Sequence, residues 1–128
     1  MKRSTFLLIT ALGSFAFGAM MFFIPDFAAS FLGIDTSSQT LSVLRGMGGL
    51  IIGSGTINYF LRNQINMEVI KALLLTNIIT HLLGLAADFW GVADGALTIS
   101  KMAPVEMTHL FIGLGSLIYF VKVKKTIN

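Results

Sequence analysis

Four apolar runs fill most of this 128-residue chain, each close to the ~20 residues a helix needs to cross a hydrocarbon core. They are TFLLITALGSFAFGAMMFFI (5–24), LSVLRGMGGLIIGSGTINYFL (41–61), VIKALLLTNIITHLLGLAADFW (69–90) and VEMTHLFIGLGSLIYFVKV (105–123). Hydrophobic residues make up 55% of the chain and charged residues 12%, with a mean hydropathy of +0.82. A chain this short cannot hide so much apolar surface inside a soluble core, so the reading is an integral membrane protein. The expected fold is all-α, a single membrane domain (1–128) built as a four-transmembrane-helix bundle.

The connections fit that layout. PDFAASFLGIDTSSQT follows the first run, with Pro25 suited to a first helical turn, Gly33 to a stop and Thr36 to Ser38 to an N-cap for the second span. This predicts a short helix lying in the membrane interface after the first span. RNQINME is a tight polar turn, and GVADGALTISKMAP carries an Asp94-Gly95 turn and ends in Pro104, expected to open the fourth span. The first run is long for a secretory signal and lacks a clean A-x-A site, so it is read as a retained span. Lys2, Arg3, Arg62, Lys122, Lys124 and Lys125 fall on one side of a four-span layout, against Lys101 and Arg45 on the other. The positive-inside rule then puts both termini in the cytoplasm. The net charge of +3 is explained by these flanks, so no nucleic-acid partner is expected. With no cysteine, disulfides and thiolate chemistry are excluded.

Polar residues inside such helices are costly and need a reason. At about 100° per residue, Asn77, His81, Gly84 and Asp88 lie within roughly 60° of one another on the third span, with Thr80 beside them. Arg45, Glu106 and His109 fall at similar depth in the outer half of the membrane. The expected binding site is therefore one polar cluster of Arg45, Asn77, His81, Asp88, Glu106 and His109, with Arg45 pairing with Asp88 or Glu106. Glu106-x-x-His109 has the spacing that aims a carboxylate and an imidazole at one metal, and His81 and Asp88 complete a weak candidate set. A di-metal bundle needs that motif twice and the chain has only two histidines, so neither a metal site nor a haem is expected and the cofactor stays open. The same four residues titrate, which suits a proton-coupled carrier. Small four-span drug exporters carry a glutamate in their first helix, and the first span here has no ionisable residue between Arg3 and Asp26.

Gly49-x-x-x-Gly53 in the second span, Gly113, Gly115 and Ser116 in the fourth, and Thr10, Gly13, Ser14 and Gly18 in the first read as helix-packing positions. No Walker lysine follows the glycine-rich stretch, so it is not a phosphate cradle.

Arg45-Gly46 leading a glycine-rich second span, Asp94-Gly95 in the last loop and Glu106 opening the fourth span together resemble a group of small bacterial four-helix membrane proteins of unknown function. That resemblance implies the inner (cytoplasmic) membrane. In size and helix count the chain is also similar to small membrane scaffold proteins, including the one that tethers enzymes of fungal sterol synthesis. The leading expectation is thus a non-catalytic accessory or scaffold protein, binding a lipid-like or protein partner in the bilayer. A proton-coupled small-molecule carrier is the first alternative, and a metal- or cofactor-dependent membrane enzyme the second.

Overall fold

The computed structural model describes residues 1–125, with side chains as far as Val123. The side chains of Lys124 and Lys125, counted above among the cytoplasmic charges, lie outside the described part. Five helices follow one another with no strand among the described residues: α1 (Arg3–Phe23), α2 (Pro25–Leu32), α3 (Ser38–Leu61), α4 (Met67–Ala93) and α5 (Ile99–Lys125).

Each boundary has a local cause. A residue before proline is disfavoured in the α region, and Ile24 breaks the chain there at φ −130° and ψ 57°. Pro25 then opens α2 with Asp26 in its positive first turn. Gly33 closes α2 at φ 71°, its N–H bonding to the Ser30 carbonyl while Ile34 N–H reaches the Ala29 carbonyl. Ser37 Oγ accepts the Thr40 N–H at 3.3 Å to cap α3. Asn66 Oδ1 accepts from Glu68 and Val69 to cap α4. Gly95, at φ 75°, turns the chain after α4.

The fourth span begins earlier than the sequence suggests. The Thr98 carbonyl already accepts from Lys101 and Met102, so α5 starts at Ile99 and Pro104 lies inside it rather than at its first turn. The missing proline N–H costs one ladder bond, and Pro104 is exposed.

Three helices, α1, α4 and α5, are long and apolar enough to cross a membrane. The second expected span, now α3, has the length at 24 residues but not the apolarity. Gln39, Arg45, Asn58 and its glycines dilute the leucines and isoleucines. Large apolar side chains point outward along the candidate spans, among them Phe23 at 72% exposure and Leu83 at 66%, as expected of helices whose solvent is lipid. The structure thus bears out an all-helical membrane protein with three clear candidate spans.

Packing is concentrated in two compact units, Met1–Arg62 and Asn63–Asn128. In the first, α1 and α3 run antiparallel with α2 against both. Their backbones touch. A Cβ on Gly48 would sit 2.7 Å from the Gly18 carbonyl oxygen and 2.7 Å from the Phe22 nitrogen, and one on Gly18 would sit 2.8 Å from the Gly48 oxygen. About two turns further along, Gly55 faces Ala11 and Ser14. The contact register is therefore Gly48 to Gly55, not the Gly49-x-x-x-Gly53 pair expected from sequence. Gly53 faces open space and Gly49 only brushes Phe22 at 3.9 Å. On α1, Thr10 and Gly18 are buried in this seam while Gly13 is exposed.

The second unit is the antiparallel pair of α4 and α5. Ile70, Leu73, Leu74 and Asn77 of α4 are buried, as are Met102, Glu106, Ile112, Ser116 and Val123 of α5. These spacings of three and four residues mark one face on each helix.

Candidate functional site

The buried faces of α4 and α5 become polar toward the α4–α5 loop. His81 and Asp88 are two helical turns apart on α4, and Glu106 and His109 one turn apart on α5, so each pair lines up along its helix. The antiparallel packing interleaves them. His81 Nδ1 lies 2.8 Å from His109 Nδ1, with ring centroids 5.0 Å apart and planes at 56°. His109 Nε2 stands 3.5 Å from Asp88 Oδ2, an electrostatic contact longer than a hydrogen bond. The Asp88 carboxyl in turn lies beside that of Glu106. Glu106 is only 8% exposed, and its Oε2 is buried with no hydrogen-bond partner among the described residues. The result is a continuous line, His81, His109, Asp88, Glu106, covering roughly 10 Å of helix axis.

Gly84 makes the line possible. A Cβ on Gly84 would lie 2.6 Å from His109 Cε1 and 2.9 Å from its Nε2, so the imidazole occupies the space that a side chain at 84 would need. Across the seam His81 faces Gly113, where an added Cβ would stand 3.6 Å from the His81 Cβ, an ordinary contact. Each histidine is thus received by a glycine on the opposite helix, tightly at Gly84 and loosely at Gly113. Sequence reasoning placed Gly84 on the polar stripe of the third span and Gly113 among the packing positions of the fourth. Their service to the imidazoles was invisible, because it depends on the register between two helices.

The sequence-derived cluster is assembled in part. His81, Asp88, Glu106 and His109 come together. Asn77 is buried at 3% exposure on the same face of α4, one turn beyond His81. Thr80 is exposed, so it falls outside the stripe. Arg45 belongs to the first unit, where it is exposed on α3 and has no ion pair among the described residues of that unit. Ser116 was read as a packing residue. It is fully buried, and its Oγ has no partner among the described residues, which makes it a further polar member of the α5 face.

Among the described residues no group of three or more His, Cys, Asp or Glu side chains is arranged to hold a metal ion. The reason is visible at His109: one ring nitrogen is turned to His81 and the other to Asp88, so neither converges with the remaining donors on a common point. What the arrangement does offer is a run of proton donors and acceptors at contact distance. A neutral imidazole carries one of each, and two adjacent carboxyls can share one proton between them.

No known protein family, curated protein or solved structure matches the chain. The functional reading rests on these residues and their geometry.

Proposed function

We propose that this chain is a proton-coupled membrane protein, a small-molecule carrier whose α4–α5 hairpin binds and passes the coupling proton. The observation that carries the reading is the line of four titratable side chains, drawn from two facing helices, in a hairpin apolar enough to cross a membrane. Ionisable groups at membrane depth mark proton or substrate pathways more often than they serve packing. A packing role would be met by any small or apolar residues. It would not require two histidines end to end with a carboxyl pair.

The same reading takes α3 as a fourth span. It packs antiparallel along α1 over much of its length, so it lies at the same depth wherever α1 crosses the bilayer. An even number of crossings leaves both termini on one side, and the basic residues Lys2, Arg3, Arg62 and Lys122 make that side cytoplasmic. The inner membrane of a bacterium is the corresponding location.

The test is reconstitution of the full chain into lipid vesicles with an imposed pH gradient and an internal pH dye. A proton flux that rises with an added substrate library, and vanishes in Glu106→Gln, supports the reading. A flux identical to empty vesicles under every condition sinks it.

An accessory or scaffold role is the second reading, and one observation favours it. Phe23, Ile24 and Phe27 are exposed where α1 meets α2, an aromatic edge suited to a lipid-like ligand or a membrane-protein partner. Reproducible co-purification of one membrane protein, lost in Phe23→Ala/Phe27→Ala, would favour it over transport.

A further inference from the structure

The order of contacts along the hairpin fixes where its protons sit. Two nitrogens at 2.8 Å share one hydrogen, so the Nδ1 atoms of His81 and His109 are one donor and one acceptor. At its other nitrogen His109 faces the Asp88 carboxyl, which only accepts when the shared proton sits on Glu106. His109 therefore carries a proton on Nε2. If it is neutral, its Nδ1 is the acceptor, His81 is the Nδ1–H tautomer, and His81 Nε2 is left with a free lone pair.

The rival arrangement moves one proton from the carboxyl pair to His109, giving an imidazolium between His81 and two carboxylates. The total charge is the same in both, so the surroundings of Glu106 decide. Ionised, Glu106 would be a buried carboxylate with one oxygen lacking any donor. Protonated, it loses only a neutral acceptor and can donate to Asp88, which is also the group that accepts from His109. The proton belongs on Glu106, and His109 stays neutral. Among the described residues no other titratable side chain of either helix lies beside this line. Glu68 pairs with Lys71 at the far end of α4, Asp94 and Lys101 are exposed, and Tyr119 lies about three turns beyond His109.

We propose that this hairpin is a proton relay, in which one proton passes between His81 Nε2 and the Asp88–Glu106 carboxyl pair through the His109 ring. In this resting order both imidazole N–H groups point toward the carboxyls. A proton binding His81 Nε2 releases the Nδ1 proton of His81 to His109 Nδ1, and His109 then gives its Nε2 proton to Asp88. One proton enters and one arrives, with both imidazoles neutral again but in the opposite tautomers. They must reset before a second proton can pass in the same sense. Gly84 is the positioning residue, since its missing Cβ lets the His109 ring sit where both nitrogens reach their partners. This inference rests on the proton-coupled reading for its use, but its geometry is tested separately.

The experiment uses the full chain, labelled with ¹⁵N-histidine, in bilayers of phosphatidylcholine and phosphatidylglycerol near neutral pH. Solid-state NMR should find two neutral imidazoles, His109 protonated at Nε2 and His81 at Nδ1, with a cross-peak linking the two Nδ1 atoms. His81→Gln assigns the signals. If that variant does not fold, backbone correlations from Thr80 and Leu82 in the wild-type chain assign them instead. Infrared spectra of the same sample should show a protonated-carboxyl C=O band that disappears in Glu106→Gln. A cationic His109, reversed tautomers or no such band in the wild type overturns the relay. The expected NMR and infrared result without proton flux in vesicles would sink the carrier reading and leave the relay standing. Flux with reversed tautomers would sink the relay alone.

Discussion

The two units solve one packing problem, an antiparallel helix pair, with opposite chemistry. Between α1 and α3 glycine removes side chains so that backbone meets backbone at Gly18 and Gly48. Between α4 and α5 glycine removes a side chain so that an imidazole fits, at Gly84 under His109. The first seam is closed by van der Waals contact and holds no titratable side chain where the helices touch. The second gives up that close approach and holds four titratable groups. A glycine in a membrane helix therefore has no fixed meaning: one brings helices together and another keeps space open for a functional ring.

The largest effect that would break this contrast is expected at Gly48. Gly48→Val puts side-chain atoms against backbone on α1, which cannot swing away, and should cost about 3 kcal/mol or more, the upper end of overpacking penalties. Gly53→Ala, in open space on the same helix, should leave stability unchanged or raised by up to about 1 kcal/mol. Reversible unfolding in mixed micelles would compare them, and equal losses would remove the backbone seam.

Gly84→Ala comes next. Its Cβ meets the end of a side chain, which can move, but only by leaving His81 and Asp88. A loss of about 1–3 kcal/mol is expected, together with disappearance of the His81–His109 NMR cross-peak. Gly113→Ala, opposite His81, should change stability by less than about 0.5 kcal/mol and keep the cross-peak. If both glycines tolerate alanine with the cross-peak intact, the imidazole cradle is wrong.

His109→Phe separates packing from proton chemistry within the second unit. The ring volume is roughly kept while both nitrogens are lost, so stability should fall by about 1–2 kcal/mol and pH-driven flux in vesicles should fall to background. Retained flux would take His109 out of the pathway.

The smallest effect lies outside both seams, in the turn before α3. Hydrogen bonds from the Ser37 side chain and backbone and from Thr40 hold the exposed Asp35 carboxyl below the ordinary carboxylate range. A depressed folded value means that its contribution is complete above about pH 4, the unfolded range. It is lost as pH falls through the folded value. An NMR titration of Asp35 should give a midpoint below that of a free aspartate, and Ser37→Ala/Thr40→Val should return it toward the ordinary value.

Much of the layout was legible before any coordinates. Run length and hydropathy gave helices of membrane length, and Pro25, Gly33 and Ser37 stood where the chain breaks, because those signals act within a few residues. Pro104 misled, since a proline tolerated in a first turn is also tolerated inside a helix that has already started upstream. The polar stripe of Asn77, His81 and Asp88 followed from helical periodicity alone. Arg45 was placed in the cluster by estimated depth, and it stands exposed on α3 in the first unit.

Composition and 3.6-residue periodicity are enough to make this chain helical and apolar enough for a membrane and to put its residues on shared faces. Packing between helices is what makes Gly48 rather than Gly53 close the first seam, lets Gly84 shelter an imidazole, and lines up two histidines and two carboxyls. Each of those facts depends on the register between two helices. A shift of a single residue in that register rotates the facing side chains away by about 100°.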